Sequence, residues 1–313
     1  MRALLALAAI SALVSIPADA GFDLARHAAQ NYGKTVAERV DRVSALFVGE
    51  PYVLDPLGEG PAGEFDRDPL FRFDEFDCTT FVETVMALSL SSSQGEFEAL
   101  LNRIRYKGGK PAFEARNHFP DADWRPHLLS LGLVKDVTKE VAGELQVREA
   151  HARIDRKQWY ASLGADRIHV PGAGASQARA LLEKLHQRGT GLGVERSVIP
   201  YIPFDEFFEH PDNGYVVPKD VLARIPSGTI FSIVRTRFHA SDKVGTELSV
   251  WHQGLLIRKN GQLIVRHATF LGAGRVMETS AVDFLLSEYL RKINVGSRDH
   301  GINLLQITGP VAR

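Results

Sequence analysis

Leu248-Ser249-Val250-Trp251-His252-Gln253-Gly254-Leu255-Leu256-Ile257-Arg258-Lys259-Asn260-Gly261-Gln262-Leu263-Ile264-Val265-Arg266-His267-Ala268-Thr269-Phe270 is the stretch that decides the fold. Leu248 to Arg258 and Gln262 to Phe270 have the apolar, β-branched character of strands, and Asn260-Gly261 between them is the strongest short hairpin signal. A two-residue turn there pairs Lys259 with Gln262 and carries the register back to His252 opposite Thr269. His267 is then the diagonal neighbour of His252 on the same face, and diagonal pairs lie roughly 7–8 Å apart, within reach of two imidazoles. An odd-length loop or a bulge within the pair would send the histidines to opposite faces. The same register sets Leu256, Leu263 and Val265 on the histidine face and Trp251, Leu255, Ile257 and Ile264 on the reverse. Both faces therefore expect cover from other elements, and Gly254 leaves room on the histidine face for a close approach.

Working outward, Thr229 to Arg235 and Ile302 to Ile307 read as further strands, and Asp283 to Leu290 as a helix. Upstream, apolar residues from Asp23 to about Val48 recur at helical spacing, and Tyr52 to Arg67 is a Gly- and Pro-rich loop. Phe76-Asp77-Cys78-Thr79-Thr80-Phe81 leads into a helix opened by Thr79 or Thr80 and continued through Leu88. Phe97 to Arg105 is another helix, followed by the polar, aromatic loop Arg116 to Trp124. Val134 to Ile199 mixes charged helical segments broken at Pro171-Gly172-Ala173-Gly174 and carries no motif. With no repeat and no linker, residues 21–313 read as one domain with an inserted segment around 134–199.

The first twenty residues read as a signal peptide: Arg2, the apolar run Ala3 to Ile16, then Ala18-Asp19-Ala20 as the cleavage site. The mature chain is expected to start at Gly21, to lack a membrane span, and to reside in the periplasm or outside the cell. No cysteine follows the cleavage site to carry a lipid; Cys78 is the only cysteine among 313 residues. In an oxidising compartment an unpaired cysteine points either to intermolecular bridging or to a thiol kept for its reactivity. A thiol at a helix start feels the positive end of the macrodipole, which lowers its pKa, and the backbone N–H of Cys78 or Thr79 stands ready for an oxyanion. His252 could then act as base and His267 as its orienting partner. Each taken alone has a bland reading, a small buried cysteine and two satisfied histidines; their joint occurrence favours chemistry.

Metal chemistry is the rival, since His118, Asp121, Asp123 and His127 cluster within ten residues, though without a His-x-x-x-His helix pair. No Gly-x-Ser-x-Gly elbow or phosphate-binding loop occurs, and a net charge of -1 gives no electrostatic case for nucleic acid.

Together these motifs resemble an exported bacterial family of N-acetylmuramoyl-L-alanine amidase-like proteins, formerly a domain of unknown function, within the NlpC-type superfamily of papain-like cell-wall cysteine hydrolases. The resemblance rests on Pro51-Tyr52-Val53, Phe76 to Glu83, Arg116-Asn117-His118-Phe119 with Trp124, Ile225 to Ile230, His252-Gln253-Gly254-Leu255 and Arg266-His267-Ala268-Thr269. It implies an α+β fold whose papain-like core packs a Cys-bearing helix on an antiparallel sheet bearing the histidine, with helical insertions. It also implies cleavage of an amide in peptidoglycan or muropeptides without a cofactor. By the same resemblance Cys78 is the nucleophile, His252 the general base and His267 the third residue. Tyr52 lines the site near the oxyanion, and Asn117, His118 and Trp124 form the cleft wall. The chain departs from the family pattern at Phe119, where Tyr is usual, and at Gly228-Thr229, where Gly-Asp is usual. Alternatives are a γ-D-glutamyl endopeptidase of the same fold, a non-catalytic wall-binding protein and a zinc amidase.

Overall fold

The structure, a computed structural model, describes Asp23 and residues 34–209, 217–218, 220–238, 244–294 and 300–309. The signal-peptide reading falls outside the described residues, as do residues 24–33 of the first predicted helix. What is described of that helix is α1, Val36–Ala45, started by a Thr35–Glu38 capping box.

The helices α2 (Cys78–Ser89), α3 (Gln94–Arg105) and α4 (Arg125–Ser130) follow, then β1 (Val134–Asp136) and α5 (Thr138–Ala142). The segment read as helical supplies β2 (Arg148–Asp155), α6 (Arg156–Ser162), α7 (Ala175–Gly189) and β3 (Val194–Pro203). Two short strands, β4 (Phe208–Glu209) and β5 (Val217–Pro218), pair with each other. The long strands β6 (Thr229–Phe238), β7 (Leu248–Lys259), β8 (Gln262–Thr269) and β9 (Arg275–Ser280) precede α8 (Ala281–Asn294) and β10 (His300–Ile307). None of the described helices is long and apolar enough to cross a membrane.

The strands form one antiparallel sheet in the order β2-β3-β10-β6-β7-β8-β9, with β1 also on β10. The hairpin register is the one the sequence dictates: Lys259 pairs with Gln262 and Leu255 with Arg266. Asn260 takes a positive φ of 52°, as a turn of this kind requires.

Alternating residues face two separate cores. Leu255, Ile257 and Ala268 pack with α1, α2 and α3 through Val43, Val85 and Leu101, among others. Leu256 and Val265 pack on the other face with Phe284 and Leu285 of α8. Helix α2 is apolar nearly all round and is buried from Thr80 to Ser89, as a helix wedged between a sheet and other helices must be. Arg266, fully buried, ties α1 to this sheet by bonding the Asp41 carbonyl (2.8 Å), Ser44 Oγ and Glu278.

The β7–β8 ladder stops at Leu255–Arg266. Beyond it, His252 pairs with Ile233 of β6, while His267 pairs with Met277 of β9. A bulge in β7 inserts Trp251 between the pairs Ile233–His252 and Val234–Val250. It lies on the β6 side and leaves the histidines' shared parity intact; bulges of this kind re-aim side chains next to functional sites. The start of α2 sits at the mouth of this fork.

Candidate active site

Asp77, and neither threonine, caps α2. Its carboxylate accepts from the backbone N–H of Thr79 (2.9 Å) and Thr80 (2.7 Å), and its own N–H donates to Thr80 Oγ1 (2.9 Å). Cys78 is therefore the first helical residue, one place earlier than the threonine reading puts it. Thr79 Oγ1 donates to Gln253 Oε1 (2.9 Å), whose amide donates on to Ser232 Oγ (3.1 Å), so the helix start is pinned to β7 and β6. The backbone N–H of Asp55 donates to Asp77 Oδ2 (3.2 Å) from a left-handed conformation at φ 53°, a strained geometry for a residue with a side chain. Because the Thr79 amide is committed to the cap, the Cys78 N–H is the free donor at the helix start.

His252 and His267 meet as the hairpin parity requires, with His252 Nε2 2.6 Å from His267 Nδ1. Phe284 of α8 packs edge-on against His267 with ring centroids 5.2 Å apart, and Phe231 lies 5.9 Å from His252. A Cβ built on Gly254 would stand 2.7 Å from His267 Cβ and 2.7 Å from the Phe231 ring, so the absence of a side chain there gives His267 its place.

Burial holds both imidazoles neutral. It lowers His267 to about 4, and together with His267 and Arg291 it holds His252 well below the usual imidazole range. Burial, then the Asp77 carboxylate, pushes the Cys78 thiol up to about 12 against hydrogen bonds from the Gln253 backbone and from Thr79. The dipole effect expected from the sequence is outweighed, because the helix start lies inside the protein beside its own acidic cap. At rest the site is a neutral thiol facing neutral imidazoles.

Cys78, Trp251 and His252 line two cavities. One, of about 350 Å³, is the more polar, with Asp55, Arg116, Asn117, His118, Trp159 and Arg167 in its walls. The other, of about 330 Å³, is largely apolar and contains Tyr52, His267, Phe270, Leu271, Phe284 and Arg291. Tyr52 thus stands beside Cys78 on the apolar side, its ring 5.9 Å from Phe270. Asn117 donates to the Ile104 carbonyl (2.9 Å) and keeps its Oδ1 without a partner. His118 bonds the Phe113 carbonyl through Nε2 (2.7 Å), and burial lowers it to about 3. The inserted segment does reach the cleft, through Trp159 of α6 and Arg167.

Trp124 belongs elsewhere. It is fully buried in the α2 core, its indole donating to Glu83 Oε1 (2.9 Å), and forms no part of either cavity wall. The four residues weighed as metal ligands do not converge either. Asp121 holds Ser197, Asp123 holds Arg156 and Lys107, and His127 faces the Arg103 carbonyl. A different group, Asp66, Asp68 and His169, does gather its ligand atoms within 4.8 Å of one another. Both His169 nitrogens are engaged, with Asp68 Oδ2 (2.5 Å) and the Asp166 carbonyl (2.7 Å). Asp55, Trp159, Gln253 and Arg291 are among the site-lining residues to which sequence reading assigns no role. Only tertiary contact brings Trp159 or Arg291 to Cys78, but the Asp77-x-x-Thr80 capping pattern was there to be read.

No curated protein gives a match. Among solved structures, a Legionella pneumophila protein of the DUF1460 family model shares 32% identity at a TM-score of 0.83, over 92% of this chain and 95% of that one. A Bacteroides uniformis N-acetylmuramoyl-L-alanine amidase shares 22% identity at a TM-score of 0.55, over 87% of this chain and 98% of that one. The family model described as AmiA-like, N-acetylmuramoyl-L-alanine amidase-like, matches residues 42–296. The chain belongs to that amidase-like family.

Proposed function

We propose that the protein is an exported thiol hydrolase of the NlpC-type, papain-like kind that cleaves the N-acetylmuramoyl–L-alanine amide of peptidoglycan. The observation that carries this reading is the 2.6 Å hydrogen bond between His252 and His267 beside a cysteine at a capped helix start. The family and the Bacteroides uniformis neighbour supply the substrate class.

His252 Nε2 is occupied by His267, so Nδ1 is the nitrogen available to the thiol. The productive tautomer has Nε2–H donating to His267 Nδ1, which leaves the Nδ1 lone pair of His252 to accept the Cys78 proton. As Sγ attacks the amide carbon, the proton passes to His252 and the carbonyl oxygen turns towards the Cys78 N–H. The imidazolium then protonates the leaving nitrogen, the C–N bond breaks, and water hydrolyses the thioester. His267 holds the tautomer and the ring orientation. Tyr52 and the Asn117–His118 loop would bound the substrate on either side of Cys78. No cofactor takes part in this scheme.

Purified peptidoglycan digested with the mature protein and with Cys78→Ala, and analysed by mass spectrometry, tests the reading. New fragments from the unaltered protein alone, lost on thiol alkylation and insensitive to EDTA, are expected. Masses corresponding to free stem peptides identify the muramoyl amide, whereas masses corresponding to γ-D-glutamyl cleavage move the scissile bond along the stem. Equal products from Cys78→Ala remove Cys78 as nucleophile, and no products at all leave a wall-binding protein.

A further inference from the structure

The apolar cavity ends in a charged group that the reaction scheme leaves unused. Helix α8 turns Phe284, Ser287, Glu288 and Arg291 into this cavity, on the side of the sheet where the two imidazoles stand. Arg291 Nε lies 3.2 Å from Glu288 Oε1, and Arg235 Nη2 lies 4.0 Å from Glu288 Oε2. Two guanidiniums therefore share a single carboxylate, and His300 Nε2 also stands 3.5 Å from it. Glu288 is buried, and burial raises its pKa while Arg291 and Arg235 pull it down. The other acid in the cavity wall, Asp283, precedes Arg291 by eight residues, about 12 Å along the helix axis. Neither Arg235 Nη2 nor Arg291 Nε, both buried, has a hydrogen-bond partner. Arg235 is held instead over the Trp251 ring, 4.4 Å from its centroid, while the Arg291 side chain keeps 35% of its surface exposed.

Among the described residues Arg291 is the one cation in this cavity's wall, and it shares Glu288 with Arg235, which lies outside that wall and donates through Nε to His300 Nε2 (3.2 Å). The group that leaves after Cys78 attacks must lie next to His252; His252 borders both cavities, but its partner His267 stands in the wall of the apolar one alone. The leaving peptide therefore runs along the apolar cavity towards Arg291. We propose that Arg291 binds a carboxylate of that peptide, so that the protein selects stems with a free carboxylate on the residue after L-alanine over stems in which it is amidated. The inference rests on the amidase reading for the direction of the peptide. A guanidinium suits the task because it meets a carboxylate through two parallel hydrogen bonds, a geometry an amide cannot reproduce. Arg291 also bears on His252, whose protonation it opposes; a carboxylate seated on Arg291 would relieve that opposition as the imidazole takes up its proton.

The test uses two matched muropeptides, muramoyl-L-alanyl-γ-D-glutamyl-L-lysine with its D-glutamate α-carboxyl free and the same tripeptide with that carboxyl amidated (D-isoglutamine), titrated calorimetrically into the Cys78→Ala protein. The free carboxylate is expected to bind roughly tenfold or more tightly than the amide, the scale of one charge-assisted hydrogen bond. Adding Arg291→Gln should bring the two affinities together, and Arg291→Lys should keep part of the difference, with an unchanged melting transition showing that each variant is folded. Equal affinities in the Arg291 protein, discrimination that survives Arg291→Gln, or no binding of either muropeptide would each overturn the proposal. Turnover of the same pair by the protein with Cys78 intact separates the two readings. If neither is cleaved while the binding preference holds, the amidase reading fails and the carboxylate site stands.

Discussion

Single residues at this site are set by very short distances. Gly254 is the clearest case, because any Cβ there would press on both His267 and Phe231 at 2.7 Å. Neither neighbour can give way easily: Phe231 is fully buried and His267 is held in its bond to His252. Gly254→Ala should cost on the order of 1–3 kcal/mol, the usual penalty for overpacking, and displace His267 from His252. Chemical denaturation would measure the first effect. A fall in kcat larger than any change in KM would measure the second, and unchanged kcat would show that His267 does not depend on this contact. The same neighbourhood shows how far local sequence carried the reading. The hairpin turn and two histidines fifteen residues apart sufficed to place His252 against His267. Trp124 failed as a cleft residue because a tryptophan in a polar loop looks exposed until its indole is seen donating to the buried Glu83.

At the scale of elements, the start of α2 performs two tasks through Asp77. Its carboxylate caps the helix and, after burial, which is the larger cause, helps to keep Cys78 protonated. Asp77→Asn should separate the tasks: an amide oxygen still accepts from the Thr79 and Thr80 amides, while the charge is gone and the Asp55 N–H loses its acceptor. The pH dependence of Cys78 alkylation should then shift to lower pH, while stability falls by less than the roughly 1 kcal/mol expected for Asp77→Ala. An alkylation profile unmoved by Asp77→Asn would mean that burial alone holds the thiol neutral. Elements also account for the main misreading of the fold. Arg148–Asp155 is a strand whose inward residues are Ala150, Ala152 and Ile154. Alternation built largely on alanine among charges carries little strand signal, so the segment reads as a charged helix. The strand exists because β3 offers it a full ladder of partners from Tyr201 to Val194.

The whole molecule encloses histidines that water would readily protonate. His118 is lowered to about 3 by burial and by Arg116, whereas an unfolded chain would protonate it near 6.5. Below pH 6.5 the unfolded state therefore binds a proton that the folded state refuses, and the stability contributed by neutral His118 is lost as pH falls. Buried acids such as Glu83, raised to about 7, act in the opposite sense, so the comparison must be made against a variant. Relative to His118→Gln, which can still donate to the Phe113 carbonyl, the unaltered protein should lose about 3 kcal/mol between pH 6.5 and pH 4. Denaturant midpoints across that range would show it, and a constant difference between the two proteins would mean that His118 titrates normally when folded. Sequence by itself determined the local geometry: the Asn-Gly turn, the register it imposes and the shared face of the two histidines, because backbone pairing and period-two alternation are short-range constraints. Only the tertiary structure decided that Cys78 reaches the fork between β7 and β8, that Arg291 and Trp159 enter opposite cavities beside it, and that the thiol rests neutral. Those outcomes depend on which surfaces exclude water together, and burial of that kind arises between segments far apart in the chain.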